Sequence, residues 1–251
     1  MRIIPVIDLL HGQVVRGIGG KRSEYRPIHS QLASDARPST VAAAFDDQFG
    51  FDTTYVADLD AIMEGRWSVN DWKQIATSGL KLWLDAGVTN SLAAQKILAC
   101  GKELDINFEL VIGLESLESP LELATIQQHR GGGAIFSLDM RAGQPLTKIE
   151  NWKSLTPTQI AAEAVSRGTH RLIILDLADV GESGGTRTLQ LCRELRKNHP
   201  HINLIAGGGV RNLDDLKALS DAGCNSALVA SALHDGRLTP NDITQLQSQP
   251  S

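Results

Sequence analysis

The sequence predicts a (β/α)8 barrel, and three observations carry that expectation. Eight short apolar runs alternate with helix-patterned segments over 251 residues. Most of the runs end at Asp or Gly, as strands do when they run into a polar loop at an active-site face. The two halves of the chain also echo each other at nearly constant offsets: Asp8 recurs as Asp139, Asp58-Leu59 as Asp176-Leu177, Gly87-Val88 as Gly209-Val210 and Gly113 as Ala230. That echo describes two half-barrels of four βα units, joined in one barrel domain over residues 1–251. A doubly wound open sheet is the alternative. It would usually show Gly-x-Gly-x-x-Gly after its first strand, and Gly17-Ile18-Gly19-Gly20 lacks that spacing.

The strands are read from short, β-branched runs. Ile3 to Ile7 is the first; it delivers Asp8 and breaks at Gly12. Thr54 to Ala57 ends at Asp58-Leu59-Asp60, Leu80 to Leu84 at Asp85-Ala86-Gly87, and Phe108 to Ile112 at Gly113. Ala134 to Leu138 delivers Asp139, and Arg171 to Leu175 delivers Asp176. Ile202 to Ala206 ends at Gly207-Gly208-Gly209, and Ser226 to Val229 at Ala230-Ser231. Four helices are marked by their start signals. Ser39 to Asp47 has Ser39 or Thr40 as its expected cap, and Asn90-Ser91 opens Leu92 to Ala99. Thr156-Pro157 opens Thr158 to Arg167, with proline at the first helical position. Asn212 opens Leu213 to Asp221, with Gly223 just past the end.

Composition narrows the function classes. A net charge of −5 gives no overall attraction to nucleic acid or an anionic membrane. No apolar run approaches the roughly 20 residues that span a bilayer. Pro5 and Asp8 interrupt the N-terminal apolar segment, so it does not read as a signal peptide. Cys100, Cys192 and Cys224 are far apart and lack Cys-x-x-Cys spacing; they read as buried small hydrophobes in a reducing compartment, and the cytoplasm is the expected location. The histidines show no zinc-ligand spacing, and no Gly-x-Ser-x-Gly nucleophile motif occurs. No metal is expected.

The chemistry is expected at the strand ends. Asp8-x-x-x-Gly12-Gln13 and Asp139-x-x-x-Gly143-Gln144 place matched carboxylates in matched contexts, and the pair is read as facing across one pocket. Strand-end aspartates that merely cap turns are the plainer alternative. Asp176 is read as a third acid in the pocket. Gly207-Gly208-Gly209-Val210-Arg211-Asn212, with Ala230 and Ser231 from the eighth loop, is the expected phosphate cup: glycines let amides approach an anion, and the helix that follows adds its positive end. The opposite corner holds Gly87 and Gly113 but adds Asp85 and Glu115. A second phosphate is disfavoured there, and a cationic or hydroxyl-bearing group is favoured. Val15 to Pro27 is a glycine-rich basic loop carrying Arg16, Gly19, Lys21, Arg22 and Arg26, suited to close over an anionic substrate. Asp179 to Thr186 reads as a second flap.

These residues resemble a known family. Ile3-Ile4-Pro5-Val6-Ile7-Asp8-Leu9, Gly12-Gln13-Val14-Val15-Arg16, Val56-Ala57-Asp58-Leu59-Asp60, Ser137-Leu138-Asp139 and Ile205-Ala206-Gly207-Gly208-Gly209-Val210 are similar to the half-barrel enzymes of histidine biosynthesis, and closer to the isomerase than to the cyclase, whose first strand usually carries a Cys and a Lys. The resemblance implies an Amadori rearrangement of a phosphorylated aminoaldose to an aminoketose, with Asp8 as base, Asp139 as acid and no cofactor. The implied partner is a small phosphorylated metabolite. Asp85-Ala86-Gly87 stands where the family usually has three glycines, Asp176 where it has Thr, and Ala230-Ser231-Ala232 where it has Gly-Arg-Ala. Those departures point to a smaller or singly phosphorylated substrate. Lyase or condensing chemistry on the same barrel, or phosphate-ligand binding without turnover, are the other readings.

Overall fold

The computed structural model describes residues 1–181 and 188–247. Eight parallel strands form a closed barrel: β1 (Arg2–Leu10), β2 (Thr53–Asp58), β3 (Lys81–Asp85), β4 (Phe108–Gly113), β5 (Ile135–Arg141), β6 (Arg171–Asp176), β7 (Asn203–Gly207) and β8 (Ser226–Val229). Each pairs with the next, and β8 closes the ring on β1 through Ile4 opposite Leu228. The principal helices outside it are α1 (Pro38–Phe49), α2 (Val69–Ala76), α3 (Ser91–Glu103), α4 (Pro120–His129), α5 (Pro157–Ser166), α6 (Leu189–Asn198), α7 (Leu213–Asp221) and α8 (Pro240–Gln247). None of the described helices is long and apolar enough to cross a membrane.

All eight expected strands are present, because parallel barrel strands are buried on both faces and so appear in the sequence as apolar runs. Three of the expected helix starts hold. Asn90, Thr156 and Asn212 accept a hydrogen bond from the amide three residues on, and Thr156 forms a reciprocal capping box with Gln159. The start of α1 differs from expectation. Arg37 occupies the cap and Pro38 the first helical position, leaving Ser39 and Thr40 inside the first turn. Proline there sets the helical φ without needing a cap.

Side chains alternate between two cores. Those facing outward from the strands pack with Val41, Phe45, Trp72, Ile97, Leu123, Ile160, Cys192 and Leu216 of the helices. Those facing the lumen form a separate layer of Ile4, Tyr55, Trp83, Val111, Ile135, Ile173, Ile205 and Leu228. Below this layer, at the strand N-termini, Glu109 bridges Lys81 (2.5 Å) and Arg171, whose guanidinium lies over the Trp83 ring. Above it, at the strand C-termini, the lumen opens as the cavity described next.

The two halves repeat in detail. β1 and β5 each run on into a hairpin, paired Leu10 with Gln13 and Arg141 with Gln144. The turn residues His11-Gly12 and Ala142-Gly143 share left-handed backbone angles. Each turn is held by an acid at or just past the end of the next strand in sequence. Asp60 accepts from the His11 amide (2.7 Å), and Asp176 accepts from the Ala142 and Gly143 amides (2.9 and 2.7 Å). The recurring Asp-x-x-x-Gly-Gln is the imprint of this hairpin on the sequence.

Candidate active site

A cavity of about 830 Å³, counting its open mouth, lies at the C-terminal end of the barrel. This is the face on which barrel enzymes build their sites. Asp8, Asp85 and Asp139 enter it because they continue the inward alternation of their strands: Ile4, Val6, Asp8 on β1; Trp83, Asp85 on β3; Ile135, Ser137, Asp139 on β5. Glu115 arrives from the loop after β4, and Arg22 and Tyr25 from the basic loop after β1. Gly208, Gly209, Val210, Ala230 and Ser231 line the opposite wall.

Asp8 and Asp139 therefore share one cavity, in unlike company. Burial pushes Asp8 up to about 6, and the Arg22 guanidinium limits the rise. Burial raises Asp139 well above the carboxylate range, and the charges of Glu115 and Asp85 add to it; the Ser137 hydroxyl (2.6 Å) and Glu115 amide (3.4 Å) act in the opposite direction. Burial also drives Asp85 up to about 7, although the Gly87 amide (3.2 Å) and Tyr55 hydroxyl (3.3 Å) both donate to it. With Asp8 at about 6 it is mostly ionised at neutral pH, while the surroundings of Asp139 favour its protonated form, a contrast that suits one base and one acid.

The sign of the linkage is clear for Asp139. Its folded-state pKa lies above the unfolded value. Its favourable contribution to stability is therefore complete below the unfolded pKa and is lost as pH rises through the folded pKa. Asp139→Asn, which mimics the protonated acid, is expected to raise Tm in mildly alkaline buffer and to change it little in acid. Thermal melts at the two pH values check this.

Asp176 has the opposite alternation from Ile173 and Leu175, and its carboxylate turns away from the cavity. It is consumed by the Ala142, Gly143 and Ala178 amides. It is a hairpin anchor, not the third pocket acid that its strand-end position suggested. Among the described residues the additional acids in the pocket are Asp85 and Glu115. Tyr25 and Tyr55 are lining residues that the sequence reading missed. Tyr55 was marked by its alternation with Ala57, whereas Tyr25 sits in a loop with no period to place it.

The basic loop folds over the cavity mouth. Gly19 donates to the Val180 carbonyl (2.8 Å), Arg141 to the Gly20 carbonyl (3.1 Å), and Arg22 crosses to an ion pair with Glu115. Its other basic residues are engaged elsewhere. Arg16 makes a two-pronged pair with Asp235 (2.8 and 2.7 Å), bordering a small adjoining cavity, and Arg26 donates to backbone carbonyls of its own loop. Residues 182–187 of the expected second flap lie outside the described residues; Val180 and Gly181 before them line the cavity.

The glycines divide into two groups. Gly208 has φ +89° and would drive a Cβ into the Asp176 carbonyl at 2.8 Å, so the turn that bends the chain toward the cavity requires glycine. The neighbouring Gly209, Val210 and Ser231 amides find no acceptor among the described residues. Gly207 packs against Leu175 and Leu228 beneath them. Gly87 and Gly113 are placed differently. The Gly87 amide is taken by Asp85, and a Cβ on Gly113 would lie 3.1 Å from Asp139 and 3.2 Å from Asp85, so Gly113 makes room for two carboxyl groups. Among the described residues no three of His, Cys, Asp and Glu are grouped as metal ligands.

An eight-stranded barrel with paired acids at its mouth and open amides on one wall defines a class of small-molecule site. Comparison with known proteins is specific about the lineage: the chain belongs to the histidine biosynthesis protein family, whose profile matches residues 2–239. Among its relatives, a protein of Natronomonas pharaonis named 1-(5-phosphoribosyl)-5-((5-phosphoribosylamino)methylideneamino)imidazole-4-carboxamide isomerase is 27% identical over 94% of both chains. A Desulfitobacterium hafniense protein of the same name is 26% identical, over 100% of this chain and 99% of its own. A Methanocaldococcus jannaschii protein described as uncharacterized is 29% identical over 97% of both.

Proposed function

We propose that this barrel is an isomerase that converts a phosphorylated aminoaldose into the aminoketose. The carrying observation is the pairing of Asp8 and Asp139 in one cavity with opposite electrostatic neighbours. Asp139, protonated among Asp85 and Glu115, gives its proton to the ring oxygen. The C1–O bond breaks and the nitrogen lone pair forms the iminium. Asp8, ionised beside Arg22, removes the C2 proton, and the electron pair moves to give the enaminol. Proton return to C1, with loss of the C2 hydroxyl proton, then yields the ketose. The phosphate sits on the Gly209, Val210 and Ser231 amides, where backbone N–H groups concentrate positive potential. Closure of the basic loop keeps water from the iminium.

The names of the relatives and the shared barrel support isomerisation. Those names specify a substrate with two phosphoribosyl groups. The reading is tested by assaying the purified protein on phosphorylated glycosylamines and by rescue of a histidine auxotroph lacking the isomerase. Ketose formation that disappears in Asp8→Asn supports it. No ketose from any such substrate refutes it, and rescue identifies the bisphosphorylated compound as a substrate.

The pH profile is a second check. Turnover is expected to rise through about pH 6 as Asp8 ionises and to fall at higher pH as Asp139 loses its proton. Asp85→Asn removes a charge that holds Asp139 protonated. The descending limb should then move to lower pH while the ascending limb stays in place.

A further inference from the structure

The two ends of the cavity differ in what they leave free. On the β7–β8 wall, the amides of Gly209, Val210 and Ser231 find no acceptor among the described residues. On the β3–β4 wall, the amides nearest the cavity are already paired within the protein, and Val88, the counterpart of Val210, does not line the cavity. Gly87 donates to Asp85 (3.2 Å), Glu115 to Asp139 (3.4 Å), Leu114 to the Ser137 carbonyl (2.9 Å) and Ser116 to the Gly113 carbonyl (3.1 Å). Arg22, the basic side chain of the lining, is bound to Glu115. The half-barrel repeat thus builds two corners with the same backbone, and among the described residues only the β7–β8 corner turns unpaired amides toward the cavity.

We propose that Asp85 and Glu115 set the substrate specificity: the substrate is a monophosphorylated aminosugar whose nitrogen substituent ends in a cationic hydrogen-bond donor. A second phosphate at this end would meet carboxylate oxygens and, among the described residues that line the cavity, no unpaired amide, and like charges at a buried contact are strongly disfavoured. An ammonium or amidinium group meets acceptors instead. It pairs with Asp85 and with the Glu115 oxygen that does not hold Arg22. The sugar then lies between Asp8 and Asp139, with its phosphate on the far wall. This inference rests on the phosphate placement of the proposed function, but not on the acid–base roles.

Calorimetry with unreactive probes tests it. An ω-aminoalkyl phosphate, an ω-hydroxyalkyl phosphate, a plain alkyl phosphate and an α,ω-alkane bisphosphate of matched length are titrated into the wild-type protein and into a folded Asp85→Asn/Glu115→Gln variant. The aminoalkyl phosphate is expected to bind at least roughly tenfold more tightly than the bisphosphate. The double substitution should shrink or reverse that preference while leaving the plain alkyl phosphate unaffected. A bisphosphate that binds wild type as tightly as the amine, a preference that survives the double substitution, or no phosphate binding by intact wild type would each overturn the proposal. Wild-type turnover persisting in Asp8→Asn would defeat the acid–base reading and leave this ranking unchanged.

Discussion

Asp8→Asn is expected to lower kcat by roughly 10²–10⁴-fold, the usual contribution of a positioned general base. The amide has nearly the size of the carboxyl, so the cavity keeps its shape and only the proton acceptor is lost. KM should move little, because the proposed phosphate contacts lie on the Gly209 and Ser231 wall. Asp139→Asn should cause a loss of the same order for the opposite reason: the amide cannot deliver the proton that opens the ring. The two differ in pH dependence. Asp8→Asn removes the ascending limb near pH 6, and Asp139→Asn removes the descending one. If the acids act as a unit, the double variant will be scarcely slower than either single one. Steady-state kinetics across pH on the three variants checks all of these expectations.

Asp58→Ala is expected to destabilise the fold by about 3–5 kcal/mol without touching the chemistry, because each buried donor stranded costs about 1–3 kcal/mol. Asp58 is fully buried at the end of β2, and its carboxylate accepts from the Ala61 amide (3.0 Å), the Ser68 amide (2.7 Å), the Ser68 hydroxyl (3.1 Å) and the Trp72 indole (2.8 Å). Those bonds tie α2 and the loop before it to the barrel. The expected loss is a large share of the 5–15 kcal/mol that holds a typical domain folded. Since Asp58 does not line the cavity, turnover per folded molecule should persist in the cold. Thermal and urea melts alongside activity measurements separate the two effects. A Tm unchanged from wild type would show that water replaces the carboxylate.

Asp58 and Asp176 also show where sequence reading succeeds and where it stops. The barrel was legible because strands buried on both faces leave uninterrupted apolar runs, and the closing order follows from eight such runs. Asp8 and Asp139 were legible because a duplicated hairpin repeats its spacing. Asp176 was misplaced because ending a strand does not decide which way a side chain turns. The deciding signal was in the sequence: two-residue steps from Ile173 reach Leu175, one short of Asp176, while steps from Ile4 reach Asp8 and steps from Trp83 reach Asp85. Other features had no local signal. Arg22 is one of several basic residues in its loop, and its place in the cavity depends on Glu115, 93 positions away. Arg16 looked equally suited to an anion but is satisfied by Asp235, a pairing set by the meeting of the first and last βα units. The unpaired amides that line the cavity from the β7–β8 wall are likewise a property of the closed barrel.

In the proposed reaction Asp8 and Asp139 move protons between C2, the ring oxygen and C1 of a phosphorylated aminosugar. Proton NMR of the reaction in deuterium oxide tests it most directly. The wild-type protein is expected to make ketose carrying solvent deuterium at C1, and Asp8→Asn to make neither ketose nor label. Ketose formed by Asp8→Asn at the wild-type rate would contradict it.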